Sequence, residues 1–344
     1  MAGRGTRATA TDYNAIQSTV SSILGVGAGT TGYGQPVSSA QVAAGATIAV
    51  AQWTTLRNDL GKCRVHQTNS ALIDGLASVS ANRGTPWQTL QLINSSTTIS
   101  EDIRDQYNQF STGINTNRAV AAAGQLTPGT ALVSSSRSAS WGGTALAQSV
   151  SHVFTVTFAG YTSGSLTVSA ADHMRCFFNA GGSIQIAASR TGTAANTKDG
   201  DWATMLAAST GVNVINFSNT ATALTAPNTL NAGATINSGF GFASTTSTPT
   251  AIVTQTSSLS KYAENRYIVS VARPTTNTLQ FTVLFQDNDT GDRPVPSPPA
   301  PFGPLIDEPV TGTLATTITC TSPTGANVAI PAPSAATNTA LTVG

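Results

Sequence analysis

Tyr267-Ile268-Val269-Ser270-Val271-Ala272-Arg273-Pro274-Thr275-Thr276-Asn277-Thr278-Leu279-Gln280-Phe281-Thr282-Val283-Leu284-Phe285 is the stretch that decides the fold. Tyr267, Val269 and Val271 recur at every second position, and so do Leu279, Phe281, Val283 and Phe285. A period of two places one set of side chains on one face of a strand. The stretch therefore predicts two half-buried antiparallel strands with an Asn turn between them.

The same period extends outward. Phe154, Val156 and Phe158 alternate with Val153, Thr155 and Thr157, and shorter repeats occur at Leu166/Val168 and Ile184/Ile186. One short helix interrupts them, with Asp199-Gly200-Asp201 as its cap and Trp202, Met205 and Leu206 within it. Residues 130 to 290 thus read as an antiparallel β-sandwich, jelly-roll or immunoglobulin-like, with one helical insertion.

Upstream the period is 3.6. Thr11 is the expected cap of a first helix carrying Tyr13, Ile16, Val20, Ile23 and Leu24, which Gly25 stops. A second holds Val50, Trp53, Leu56 and Leu60 and closes at Gly61. A third is expected to open with a capping box from Thr98 to Glu101 and to bury Ile103, Tyr107, Phe110 and Ile114. Three such stripes predict a small bundle.

Downstream, residues 292–309 hold seven prolines, the signature of a stiff strut. Leu314, Ile318, Val328 and Ile330 then mark two or three strands, too few for an independent sheet. They are expected to pack on this chain's sandwich or on a neighbour's. The expected fold class is α+β, mainly β. The divisions are a helical docking domain at 1–125, a sandwich body at 126–291, a linker at 292–309 and a strand arm at 310–344.

Composition narrows function. Only 9% of the 344 residues are charged, against about a quarter in ordinary chains. Lys62, Lys198 and Lys261 are the only lysines, Ser and Thr number 90, and the formal net charge is +1. Near-zero charge promotes association, so the profile suits a building block covered by neighbours and suits a solution enzyme poorly. Clustered cations that would grip nucleic acid are lacking, and no apolar run is long enough to span a membrane. Three scattered cysteines make no disulfide framework and predict a reducing compartment of assembly. Nothing at the start reads as a secretory signal.

Four patterns invite chemistry. Cys63-x-x-His66 and His173-x-x-Cys176 supply the ligand types of structural zinc, although 107 residues separate the two halves. The plainer alternative is a polar helix end at His66 and small buried hydrophobes at Cys63 and Cys176. Asp287-Asn288-Asp289-Thr290-Gly291-Asp292 alternates carboxylates as calcium loops do, but lacks the distal Glu; a turn explains it as well. Ser169, Asp172 and His173 hold the residue types of a hydrolase triad without a Gly-x-Ser-x-Gly elbow. Tyr33, Trp87, Trp141 and Tyr161 are loop aromatics that could stack on sugars or anchor a core. The glycines from Gly25 to Gly34 follow a helix and lack the Gly-Lys-Ser/Thr of a phosphate loop. No catalytic residue, metal or cofactor is expected.

A resemblance runs through most of residues 10 to 290. It rests on Asp12-Tyr13-Asn14, Leu24-Gly25-Val26-Gly27, Gly32-Tyr33-Gly34-Gln35, Gln52-Trp53-x-x-Leu56-Arg57-x-Asp59-Leu60 and His66-Gln67-Thr68. It continues in Ala171-Asp172-His173-Met174-Arg175-Cys176-Phe177-Phe178-Asn179-Ala180-Gly181-Gly182, Ser189-Arg190 and Asp201-Trp202. These stretches resemble virion structural proteins of contractile-tailed phages that infect cyanobacteria and related marine bacteria. The resemblance implies a non-enzymatic virion part whose partners are its own copies and other virion proteins. The tail, neck or baseplate is the favoured position. Capsid decoration and a receptor- or glycan-binding module are the alternatives. Trp53, Arg57 and Asp59 are the expected interface anchors, since Trp and Arg dominate contact energetics.

Overall fold

The computed structural model describes residues 9–25, 33, 35–68, 90–94, 97–101, 103–116, 126–143, 147–163, 166–208, 213–216, 235–237, 240–257, 259–289, 291, 307–325 and 328–343. In chain order its elements begin α1 (Ala10–Leu24), α2 (Val50–Thr68), β1 (Leu90–Asn94), β2 (Thr97–Glu101), α3 (Ile103–Thr116), β3 (Leu126–Arg137), β4 (Gln148–Thr157), β5 (Tyr161–Ser163), β6 (Leu166–Val168) and α4 (Ala170–Asn179). They continue β7 (Ser183–Thr191), α5 (Thr197–Ala208), β8 (Asn213–Ile215), β9 (Thr235–Ile236), β10 (Thr250–Thr256), β11 (Arg266–Thr275), β12 (Thr278–Asp287), β13 (Thr313–Gly325), β14 (Val328–Ala329) and β15 (Ser334–Val343). The fold is α+β, mainly β, and its sheets are antiparallel.

The chain divides into two compact units, and neither is contiguous. The first comprises Met1–Thr127, Ala159–Gly182 and Ser322–Pro331; the second comprises Pro128–Phe158, Ser183–Thr321 and Ala332–Gly344.

In the first unit, α1 buries Tyr13, Ile16, Val20, Ile23 and Leu24, the stripe its sequence spells. Its cap is Thr9 rather than Thr11: the Thr9 hydroxyl accepts from the Asp12 N–H, and the Asp12 carboxylate accepts from the Thr9 N–H. The connection to α2 is tied to α1 by side chains. Asn14 exchanges two hydrogen bonds with the Val42 backbone, and Gln17 Nε2 donates to Ser39 O. The α2 helix does not close at Gly61 but runs on to Thr68, with Gly61 buried inside it. Trp53 is its anchor, meeting Tyr13 and Tyr107 edge to face at 5.2 and 5.0 Å. Such geometry adds about 0.5–1.5 kcal/mol per pair to the burial of the rings.

Two expectations fail here. Thr98 lies in β2, paired with β1, so it caps no helix, and α3 begins at Ile103. Residues 170–179 are helical as well, so the body is interrupted by α4 and α5 rather than by one helix. Ser169 caps α4 by accepting the Asp172 N–H.

The second unit is built on a six-stranded sheet, β15-β4-β12-β11-β10-β9. Along β12 every second residue is buried: Leu279, Phe281, Val283, Phe285 and then Asp287. Burial of each aromatic or aliphatic side chain stabilises the fold by about 1.5–3 kcal/mol. β7 lies between β8 and β13, and β3 also pairs with β13. A buried hydrogen bond joins the two sheets, 2.9 Å from His152 Nδ1 on β4 to Thr316 Oγ1 on β13. Helix α5 sets Trp202 against Trp141 and Phe285, with ring centroids 5.3 and 6.1 Å away. The C-terminal strands pair within this chain: β13 with β7, and β15 with β4 over ten residues without a break in register. The proline-rich residues 292–306 lie outside the described residues.

Candidate functional site

The alternation of β12 ends on an acid, and that acid marks the densest polar site of the second unit. Asp287 occupies the buried register position after Phe285. Its carboxylate Oδ2 lies 3.0 Å from the ammonium of Lys198. Asp289 Oδ2 is 3.2 Å from the same nitrogen, and Asp307 Oδ1 is in direct contact with it. Gly142 O accepts from Lys198 Nζ at 3.3 Å. The side chains of Lys198, Asp287 and Asp307 are 0, 1 and 2% exposed. The Tyr262 ring stands 5.7 Å from the nitrogen.

Local structure explains how these groups meet. Asn196 opens α5 by accepting the Asp199 N–H at 2.8 Å, which sets Lys198 in the first turn. Asp199, taken from the sequence as part of the cap, instead holds Ala195 N–H and the Arg190 guanidinium, the latter at 2.8 Å. Gly142 has a φ of 67°, and a Cβ there would strike the Asp287 carboxylate. Only glycine lets this turn approach the acid.

The segment that brings Asp307 is fastened at successive residues. Glu308 accepts from Tyr262 Oη at 2.6 Å and from the Lys198 N–H at 3.3 Å. Asn196 Nδ2 donates to Pro309 O, and Trp141 and Val310 exchange backbone bonds of 3.2 and 2.7 Å. Thr311 donates its N–H and its hydroxyl to Asp199, while Arg190 Nε donates to Thr311 O. Residues 307–311 are thereby clasped to the second unit.

The electrostatics follow from burial. A charge removed from water is costly unless paired, and like charges held together raise one another's pKa. Burial lifts the Asp287 carboxyl to about 6, against the pull of Lys198 and with the help of the Asp307 and Asp289 charges. Asp307 moves in the same direction, again chiefly through burial. Burial pulls Lys198 down, but its bonds to Asp307 and Asp287 outweigh it and the net shift is upward. Glu308 falls below the usual carboxylate range, led by the Tyr262 hydroxyl bond. The site is an ammonium locked among acids and closed to water.

The sequence candidates fare unevenly. Asp287 and Asp289 do converge, as a calcium loop requires. Among the described residues they are joined by Asp307, and the cation they surround is the Lys198 ammonium. Asp292 lies outside the described residues. Of the zinc quartet, Cys63 is buried in α2 and Cys176 in α4. Burial pushes the Cys63 thiol up, and it pushes Cys176 to about 11. His173, expected between strands, is on α4, with Nδ1 2.7 Å from Ala159 O and Nε2 2.9 Å from Pro331 O. The backbone of His66 lies in α2; its side chain is outside what is described. Among the described residues no cluster of three or more His, Cys, Asp or Glu is arranged to hold a metal.

Ser169 Oγ donates to Asp172 Oδ2 at 3.0 Å as part of the α4 cap, while both His173 nitrogens face backbone carbonyls. The three residues form no relay. Tyr33 and Trp141, weighed as sugar platforms or core anchors, are core residues at 1 and 4% exposure. The half-buried Tyr161 ring rests on His173, and Trp87 lies outside the described residues. Two of the three expected interface anchors turn inward. Trp53 is in the bundle core, and the fully buried Asp59 accepts the N–H groups of Ser38 and Ser39 and pairs with Lys62 at 2.7 Å. Arg57 is half-buried on the same helix. A shallow hollow of ≈ 210 Å³, lined by Thr235, Asn237, Ala251, Ile252, Val253 and Thr254, has no ionisable side chain in its walls. Among the described residues no helix is long and apolar enough to cross a membrane.

Sequence reasoning missed Lys198, Asp307, Glu308, Arg190 and Asp199. One signal was available: a chain with three lysines sets one of them directly before Asp199 and two residues after Asn196. Comparison of the chain with models of protein families, with curated proteins and with solved structures found no match.

Proposed function

We propose that this chain is a non-enzymatic structural component of a tailed-phage virion, built into the particle in many copies at the tail, neck or baseplate. The observation that carries the reading is where its few charges lie. The chain has 16 basic and 15 acidic side chains. Asp59, Arg175, Arg190, Lys198, Asp199, Asp201, Asp287 and Asp289 are buried. Eight of so small a set are thus spent inside the molecule, and the exterior is poorer in charge than the composition alone suggests. A surface of Ser, Thr, Ala, Gly and Asn offers little repulsion between copies.

The resemblance to phage virion proteins points the same way. In this reading the helices of the first unit dock on the particle, and the sheets of the second form a sandwich-like body. In this reading the polar interior works as a fastening.

Sedimentation of the purified full chain at micromolar concentration, with immunolabelling of virions, tests the reading. Closed multimers and label at the tail, neck or baseplate are expected. A chain that stays monomeric and labels no particle overturns it, and label spread over the head in icosahedral numbers overturns the tail, neck or baseplate position.

A further inference from the structure

Lysine is almost never fully buried unless paired, and Lys198 is paired beyond need. One ammonium faces three carboxylates, two of which exceed what neutralisation requires. The arrangement also has the parts of an amide-forming reaction. The amine nitrogen touches Asp307 Oδ1, while Asp307 Oδ2 is buried and makes no hydrogen bond among the described residues. Asp287 also faces the nitrogen, with both its oxygens within 3.3 Å. Gly142 O fixes a further N–H. The clasp described above holds the Asp307 segment in place, and the effective concentration of two groups so held is very high.

We propose that Lys198 and Asp307 become joined by an intramolecular amide bond between Nζ and Cγ, formed by the folded chain itself. In the reacting state Lys198 is an ammonium, Asp287 a carboxylate and Asp307 a neutral acid. Asp287 takes one proton from the ammonium. The freed lone pair adds to Cγ of Asp307, forming the C–N bond. Asp287 returns its proton to the Oδ2 hydroxyl as the Cγ–Oδ2 bond breaks, and water departs. The surplus proton left on nitrogen passes to Asp287, which ends as a neutral acid. Two protons leave nitrogen, one oxygen leaves Asp307, and no oxidant or reductant takes part.

Asp287 suits the shuttle because its carboxyl is lifted to about 6, where it can both accept and release a proton near neutrality. Asp289 adds negative charge beside Asp307, which favours the neutral acid there. The bond would bridge 109 positions of sequence and make the clasp covalent. It forms within one chain, so it stands or falls independently of assembly into a particle.

Intact mass spectrometry of the purified full chain under denaturing conditions tests it. The expected mass is one water below that of the same chain carrying Lys198→Ala, after allowing for the substitution. Trypsin should leave Lys198 uncut and yield a branched peptide joining the Lys198 and Asp307 segments. Asp307→Asn should shed ammonia instead of water and reach the cross-linked mass of the parent. A parent chain that unfolds cooperatively yet keeps its full mass overturns the proposal. So does a water loss that persists in Lys198→Ala, or a branch mapped to Asp287 or Asp289.

Discussion

Asp287 continues the buried face of β12 two positions beyond Phe285, and the place where the apolar pattern calls for another hydrophobe holds a carboxylate 3.0 Å from Lys198 Nζ. The sheet thus delivers an acid into its own interior, and α5 delivers the base that meets it. Neither is tolerable alone. Removing one partner of a buried pair leaves the other charge uncompensated.

Measured against the parent before the amide forms, Lys198→Met should therefore lower the unfolding free energy by about 3–5 kcal/mol. Adding Asp287→Asn and Asp289→Asn to it should recover part of that loss. Denaturant titration of the single and triple variants measures both. Equal stability of Lys198→Met and the parent would refute the cluster's role.

Asp287 also predicts the sign of a pH effect. Before the amide forms its folded pKa is about 6 and its ordinary value 3.8, so the folded state holds the proton more tightly between these limits. Its contribution to stability grows as pH falls from about 6 to 4, by up to about 3 kcal/mol. Comparing the parent with Asp287→Asn at the two ends of that window isolates it: the parent should gain more on acidification than the variant.

His152 acts in the opposite direction. Burial alone lowers it to about 4 from 6.5, and its Nε2 has no hydrogen-bond partner among the described residues. The unfolded chain takes up a proton first as pH drops below 6.5. The His152 contribution is therefore complete above 6.5 and is lost progressively toward 4. Proton NMR of the ring should show titration below pH 5; an ordinary midpoint near 6.5 would contradict its burial between the sheets.

In the first unit, Asp59→Ala should cost about 1–3 kcal/mol, because the Ser38 and Ser39 N–H groups lose their shared acceptor. Amide exchange should quicken at those two positions while β12 is unaffected. Uniform acceleration through both units would count against so local an effect.

Gly142→Ala should destabilise by at least about 1 kcal/mol, from a φ of 67° and from collision with the Asp287 carboxylate. Thermal melts of this variant with and without Asp287→Ala separate the two causes. The collision, but not the backbone strain, should disappear in the double variant.

What the residues made legible, and what they hid, have physical reasons. The strands around Phe281 and Phe154 could be read because one face is buried and the other is not, so period two survives. Helix α4 was hidden because His173 through Asn179 are all buried, which erases the stripe that betrays a helix. Gly61 looked like a stop because glycine is a poor helix former, yet α2 continues through it; close packing overrides propensity of about 1 kcal/mol. The site was partly legible. Asp287 and Asp289 stood out as alternating acids, but Lys198 and Asp307 are 89 and 20 positions from Asp287, and no local pattern links them. The inward turn of Trp53 and Asp59 was hidden for the same reason: their partners Tyr107 and Ser38 belong to other elements.

The placement of β15 has a bearing on synthesis. β4 is flanked by β12 on one side and β15 on the other, and the latter arrives 177 positions after it. At ribosomal speeds of roughly 5–20 residues per second, one rim of β4 stays bare for about ten seconds or longer. A nascent chain waiting with Phe154 and Val156 beside an unpaired rim is a natural client for chaperones. Until β15 arrives, this rim of β4 is an open edge at which another strand can pair.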